Sequence, residues 1–152
     1  RKITGFHLDE ENHWVAQSDC YHNQHVRHQP PFFNRPWTQT EAGRQEMLGR
    51  PLNCVRCDRL ELPDGLTAYK RTDEYDEYTT PQGLQKDHST KQGTWGIIHI
   101  SSGTLDYHVE SAGSEPMRLT PGLPGIIAPA MKHHVQLTGP VRFTIEFLRK
   151  QI

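Results

Sequence analysis

The chain has 152 residues, 34% of them hydrophobic, which fits one ordinary domain or two small ones and is lean for a single large core. Its 17 basic and 18 acidic residues give a net charge of −1, so no general electrostatic attraction to nucleic acid or to an anionic membrane is expected. Apolar runs span only a few residues, as at 125–128, and predict neither a transmembrane helix nor a secretory leader. We therefore expect a cytoplasmic protein without a membrane partner.

The N-terminal part predicts a β-hairpin followed by a loop and a short helix. Residues 2–8 and 13–18 are strand-like, and the polar residues between them form a turn. A helix is predicted over Thr38–Leu48, with Thr38 or Thr40 as its cap and Gly49 as its end. Residues 62–65 have the composition of a linker. We therefore divide the chain into a module over 1–62 and a domain over 66–152.

The C-terminal part has the pattern of many short strands separated by Gly and Pro. We predict strands over 66–71, 95–101, 104–110, 117–119, 125–128, 134–137 and 141–149. A tight turn at Ser102-Gly103 is predicted to join the second strand to the third. Apolar residues alternate with polar ones from Val141 to Phe147, so one face of the last strand is expected in the core. The sequence therefore predicts a mainly β protein whose second domain is a sandwich or barrel.

Cysteine and histidine residues predict a zinc site in the N-terminal module. Cys54 and Cys57 form a C-x-x-C pair, and an odd total of three cysteines argues against a disulfide framework. A structural zinc needs four ligands, and two thiolates from one turn could be joined by Cys20 and a histidine that lies 2 to 8 residues after it. His22 is the first choice for that histidine, then His25, then His28. A metal there would also stabilise a module too small for a large core.

Other interpretations of this region stay open. The C-x-x-C pair could have a redox role, or the cysteines could be structural beside a loop that is merely rich in histidine. A contact with nucleic acid is a further alternative, because the module contains several arginines. These are Arg27, Arg35, Arg44, Arg50, Arg56 and Arg59. On a small domain such residues usually form a solvated surface.

The N-terminal part resembles a small bacterial family of uncharacterised, pressure-regulated-type proteins. The resemblance covers about residues 1–62 and is carried by Gln24-His25-Val26-Arg27-His28-Gln29-Pro30-Pro31, by Leu52-Asn53-Cys54-Val55-Arg56-Cys57-Asp58 and by shorter matches near 3–9 and 34–37. Where Cys-Gly-His is expected in that family, this chain has Cys20-Tyr21-His22. The resemblance implies no activity.

The C-terminal part resembles the tellurite-resistance-related (TehB/YeaR-like) cupin family. The resemblance covers about residues 66–152 and is carried by Lys86–Gly96, by Ala128–Val135 and by Phe143–Phe147. It implies a cupin-type β-barrel, a double-stranded β-helix with a central pocket. In that pocket His88, His133 and Glu146 could hold a second divalent transition metal, although Thr90 replaces one histidine of the usual motif. Each of the three could instead be an ordinary turn, loop or ion-paired residue.

Three functions are consistent with these observations. The first is a metal-binding stress-response protein related to tellurite resistance, with a zinc module that resembles a zinc ribbon and a pocket for a small ligand or oxyanion. The second is a metal-dependent cupin enzyme, whose catalytic residues the sequence leaves unassigned. The third is a regulatory protein that contacts nucleic acid through the zinc module, and the near-neutral charge disfavours it. A homodimer is the default expectation.

Overall fold

A computed structural model describes residues 1–150, so the last two residues of the predicted second domain lie outside the described residues. The chain forms two compact units, Arg1–Arg56 and Cys57–Ile152. The chain is mainly β, as the sequence predicts. Within residues 1–150, no helix has the length and apolar character needed to cross a membrane.

The first unit contains a three-stranded antiparallel sheet. Its strands are β1 (Ile3–Leu8), β2 (Trp14–Ser18) and β3 (Asn23–His25), in that order across the sheet. Phe6 lies opposite Ala16, and Ala16 lies opposite Gln24. The predicted hairpin of the first two strands is therefore confirmed, and β3 is an additional strand that the sequence analysis did not identify.

The predicted helix over 38–48 is two shorter elements. A 3-10 turn over Pro36–Gln39 comes first, and helix α1 covers Glu41–Met47. Thr40 is the helix cap, because its side chain accepts a hydrogen bond from the backbone N–H of Gly43 at 3.0 Å. Thr38 instead donates its hydroxyl to the carbonyl of Arg35 and is buried. The extended backbone of the cap separates the two elements, which is why no single helix forms.

The segment after α1 runs beside β1. The backbone N–H of Ile3 donates to the carbonyl of Arg50 at 3.0 Å, and that of Gly49 donates to the carbonyl of Ile3 at 2.7 Å. This pairing brings the chain back to the sheet just before Cys54. The core of the unit is small. It consists of Ile3, Ala16 and Val26, with Phe6, Trp14, Trp37, Met47 and Leu52 packed against it.

The second unit is built on two long strands. Helix α2 (Val55–Asp58) spans the division between the units, and strands β4 (Leu66–Arg71), β5 (Tyr75–Asp76), β6 (Trp95–Val109), β7 (Met117–Leu119), β8 (Gly125–Ile127) and β9 (His133–Lys150) follow. β6 and β9 pair along their whole length as an antiparallel ribbon, from Trp95 opposite Leu148 to Val109 opposite His133. The shorter strands pair with one or the other.

Two of the predicted strand divisions are therefore wrong. Ser102-Gly103 is not a hairpin turn but an irregularity within β6, and residues 134–137 and 141–149 belong to the one strand β9. Gly103 has a φ of +77°, which lets the strand bend without ending. A Cβ at this position would lie 2.1 Å from the carbonyl oxygen of Pro140 on the neighbouring strand. The close approach explains why a glycine occupies a position inside a strand.

The core of the second unit is apolar and includes three aromatic residues of the long strands, Trp95, Tyr107 and Phe143. Tyr107 and Phe143 are fully buried, and the Tyr107 hydroxyl donates to the carbonyl of Ile126 at 2.8 Å. Val141, Phe143 and Ile145 are buried as the alternation predicts. The strand order β4-β9-β6-β7 is an open path in the described part of the chain. The sheet is therefore open rather than the closed barrel that the sequence predicts, because its two end strands, β4 and β7, do not pair.

Candidate metal centre

Four side chains of the Cys/His constellation converge at one buried point. Cys20, His22, Cys54 and Cys57 each offer one ligand atom, and these atoms all lie within 4.8 Å of one another. All four residues are buried. The cluster could therefore hold a metal ion.

The distances between these atoms match the edges of a tetrahedral zinc site. Zn–S bonds of about 2.3 Å and Zn–N bonds of about 2.0 Å at tetrahedral angles place two sulfurs about 3.8 Å apart, and a sulfur and a nitrogen about 3.5 Å apart. The Sγ atoms of Cys20 and Cys54 are 3.8 Å apart. The Nδ1 atom of His22 is 3.5 Å from Sγ of Cys20 and 3.3 Å from Sγ of Cys54.

The same sulfur separation excludes a disulfide between Cys20 and Cys54. A disulfide would place the two sulfurs about 2.05 Å apart. No two of the three cysteines are joined by a disulfide in this structure. Because three sulfurs and an imidazole converge, the arrangement has the donor set of a structural zinc or a related soft-metal site.

A tight turn after β2 positions Cys20 and His22. The backbone N–H of Tyr21 donates to the carbonyl of Ser18 at 2.9 Å, and that of Ser18 donates to the carbonyl of His22 at 3.1 Å. Tyr21 lies in the left-handed region with a φ of 72°. Glycine adopts this conformation at least cost, which gives a physical reason for the glycine expected here from the family resemblance.

The short helix α2 positions the other two ligands. Cys54 lies just before the helix, and Cys57 lies within it, so one helical turn directs both sulfurs to the same point. The backbone N–H of Leu60 donates to the carbonyl of Cys57 at 2.9 Å, and this hydrogen bond closes the turn.

The two other candidate histidines lie outside the cluster. Nε2 of His25 is 2.8 Å from a carboxylate oxygen of Asp9, and the His25 side chain is half exposed. Nδ1 of His28 accepts the backbone N–H of Arg35 at 3.0 Å. The backbone N–H of His13, together with the His25 side chain, lowers the pKa of Asp9 to about 2. His25 therefore contacts Asp9 and is not one of the four residues of the cluster.

Two of the three predicted cupin-site residues lie side by side. His88 and His133 exchange backbone hydrogen bonds of 3.0 and 2.9 Å, and their ring centroids are 4.2 Å apart. Nδ1 of His88 is 2.9 Å from the carbonyl oxygen of Lys86, and Nδ1 of His133 is 2.9 Å from that of Met131. A carbonyl only accepts, so each Nδ1 carries a proton, and Nε2 is the nitrogen that each ring could offer to a metal. Burial lowers the pKa of His133 to about 4, so this ring is neutral at pH 7.

Glu146 lies at the opposite end of β9. It is paired with Ile97 of β6, whereas His133 is paired with Val109. Its carboxylate is 3.5 Å from the guanidinium of Arg71 and 3.5 Å from Nε2 of His99. In residues 1–150 the only group of three or more ligand atoms close enough for a metal is the Cys/His cluster, so Glu146 does not join the two histidines in such a group.

Sequence reasoning missed a second histidine pair. The rings of His108 and His134 are stacked with centroids 4.5 Å apart, and Nδ1 of His134 is 2.7 Å from Asp87. These residues help to line a cavity of about 330 Å³. Only the pairing register of β6 and β9 could have shown that the two histidines are neighbours.

Three aromatic residues of the second unit have ordinary structural positions. Trp95 and Tyr107 are fully buried in the core, and Tyr69 is exposed, with the Arg149 guanidinium over its ring at 4.4 Å.

Comparison with protein families gives a separate match for each part of the chain. Residues 4–61 match a protein family of unknown function, DUF3565. Residues 70–145, half of the chain, match the family described as the TehB-like domain. The chain belongs to the TehB-like family. The TehB-like match contains β5–β8 and most of β9, and so the ribbon of β6 and β9. No curated protein matches the chain.

Two solved structures are similar to this chain. TehB from Haemophilus influenzae is similar with 26% sequence identity and a TM-score of 0.53, over 57% of this chain and 32% of that protein. The chain therefore spans about a third of the length of that relative. A protein from Escherichia coli strain K12 is similar with 16% identity and a TM-score of 0.54, over 60% of this chain and 98% of that protein. The second likeness is one of fold alone.

Proposed function

We propose that the chain is a metal-binding stress-response protein related to tellurite resistance. Its N-terminal module, which we propose to be zinc-ribbon-like, would hold one structural zinc ion, and its TehB-like domain would provide a cupin-type pocket for a small ligand or oxyanion. The observation that carries the proposal is the convergence of Cys20, His22, Cys54 and Cys57, whose ligand atoms all lie within 4.8 Å of one another. The link to tellurite rests on membership of the TehB-like family.

The donor set favours a structural zinc over a catalytic one. Four protein ligands fill a tetrahedral zinc, whereas a catalytic zinc keeps one position for water or substrate. All four ligands are buried, which keeps water away from the ion. Their two half-sites are 34 residues apart in sequence, so the metal would close a long loop in a unit that has few buried apolar side chains.

A second candidate function is a metal-dependent enzyme, and the arrangement of His88 and His133 favours it. Each Nδ1 is held by a backbone carbonyl, so both Nε2 atoms are available as ligands. Two imidazoles would leave several positions of a transition metal open to a substrate. With Glu146 paired elsewhere, the remaining ligands would be water or the substrate itself.

Metal analysis of the purified chain tests the zinc proposal. We expect one zinc ion per chain, its loss in Cys54→Ser, and its retention in His25→Ala, which removes an imidazole outside the cluster. A fully folded protein without metal would refute the structural zinc. A second transition-metal ion that is lost in His88→Ala, with the zinc retained, would favour the enzyme.

Growth on tellurite tests the physiological part of the proposal. A strain that lacks the gene is expected to grow poorly on tellurite and to recover with the wild-type chain but not with Cys54→Ser. Equal growth of all these strains would argue against a role in resistance. Cytoplasmic location and homodimer formation remain predictions, which fractionation and sedimentation would check.

A further inference from the structure

The first unit contains two cavities that share Arg27. One has a volume of about 360 Å³ and lies beside Trp14 and the end of the β1–β2 hairpin. The other has a volume of about 210 Å³ and lies beside Phe33 and Arg35. Arg27 lines both, and we call the residues that line the two cavities the Arg27 track.

The charge along the Arg27 track is positive or neutral. None of the residues that line either cavity is Asp or Glu. Within residues 1–150, neither Arg27 nor Arg35 forms an ion pair with a carboxylate. The lining histidines His13 and His25 do contact carboxylates, chiefly Asp9, so the two guanidinium groups are the charges open to an anion. Two such groups near one groove are suited to phosphate.

One aromatic ring lies beside Arg35, and the residue before it in sequence is a second exposed aromatic. Phe33 is 46% exposed, and the Arg35 guanidinium lies 5.5 Å from its ring centroid. Its neighbour Phe32 is 81% exposed, which is unusual for so apolar a side chain. Exposed rings next to arginines provide stacking surfaces for nucleobases, because every base has an aromatic face.

Side-chain amides complete the lining. Asn12, Gln29 and Gln39 line the larger cavity, and Gln24 lines the smaller one. Each amide offers both a donor and an acceptor, as the edges of bases require. Phosphate-binding arginines, stacking rings and amides without any carboxylate together have the chemistry of a nucleic-acid groove.

We propose that the Arg27 track binds single-stranded nucleic acid, a role that goes beyond the proposed zinc and tellurite functions. A single strand fits because its bases are free to stack, whereas a duplex hides their faces. Helices α1 and α2 have seven and four residues, too short to provide the long recognition helix with which many proteins read a duplex. The net charge of −1 does not oppose this, since it averages over the whole chain whereas the track itself lacks acidic residues.

Fluorescence anisotropy with the zinc-loaded full chain tests the proposal. The probes are labelled oligothymidylate and oligouridylate of about 12 nucleotides, with a duplex of equal length and uridine monophosphate as competitors. Arg27→Gln plus Arg35→Gln is expected to weaken binding about tenfold or more and to flatten its salt dependence. Phe33→Leu is expected to weaken binding about fivefold or more through lost stacking. Lys86→Gln plus Lys91→Gln removes the same charge from the other unit and is the matched control.

The outcomes separate the alternatives. Saturable binding to a single strand that falls in both track variants, with unchanged zinc content, supports the proposal. Four results overturn it: no saturable binding at about 50 mM salt, equal affinity for the duplex, equal affinity for the mononucleotide, or an equal loss in the lysine control. Zinc content and circular dichroism of each variant show that a loss of binding does not come from unfolding.

Discussion

Removal of the metal is expected to unfold the first unit and leave the second folded. The first unit has only three large aliphatic side chains that are fully buried, Ile3, Val15 and Val26. Burial of each contributes about 2 kcal/mol, or about 6 kcal/mol together. A structural zinc contributes about 10–16 kcal/mol of apparent free energy at pH 7. The metal term is therefore larger than the burial of these side chains, and the unit should not survive its loss.

Hydrogen exchange followed by mass spectrometry measures this effect in each unit. After chelation, or in Cys57→Ser, the amides of β1 and β2 should exchange at nearly the rate of an unfolded chain. The amides of β6 and β9 should stay protected, because that core includes Trp95, Tyr107 and Phe143. His25→Ala should keep protection in both units. Continued protection of β1 and β2 in protein shown to be free of metal would refute the reasoning.

Three further changes have expected outcomes. Tyr21→Gly should give a zinc-loaded protein about 1 kcal/mol more stable to denaturant than Tyr21→Ala, since only glycine adopts a φ of 72° without strain, and equal midpoints would contradict this. Gly125→Ala should lower stability by about 1–3 kcal/mol in thermal unfolding, because the new Cβ would lie 2.6 Å from Leu119, whereas Gly122→Ala meets nothing within 4 Å and should change little. His133 has a pKa of about 4 when folded and about 6.5 when unfolded, so the unfolded chain binds the proton more tightly. The free energy of unfolding should therefore fall by up to about 3 kcal/mol as the pH drops from about 6.5 to 4. Native-state hydrogen exchange of β9 amides should show this dependence of stability on pH in the wild type and not in His133→Asn.

Local patterns predicted those features that local physics determines. The alternation from Val141 to Phe147 reports one buried face of a strand, and the structure confirms burial at Val141, Phe143 and Ile145. The polar turn between the first two strands marks a hairpin in the same way. The C-x-x-C spacing brings two sulfurs together within one helical turn, whatever the rest of the fold does.

Features that depend on distant partners were not predictable. Ser102-Gly103 has the composition of a turn, yet β6 continues because Arg142 and Val141 of β9 pair with it through the irregularity. The sequence did not distinguish His22 from His25 as neighbour of the sulfurs, because the contact of His25 with Asp9 joins residues that are 16 positions apart in sequence. The pairing register determines the neighbours of Glu146. It places this carboxylate beside residues of β4 and β6 rather than near His133.

The dependence of every shorter strand on β6 or β9 has an effect on how the second unit opens. β4 and β5 pair with β9, and β7 and β8 pair with β6, so the ribbon alone joins the two groups of short strands into one sheet. The ribbon itself closes a loop over residues 110–132, which has an entropic cost that a single short strand cannot offset. We expect the unit to behave as one foldon, in which the slowest amides of all six strands exchange together through a single global opening.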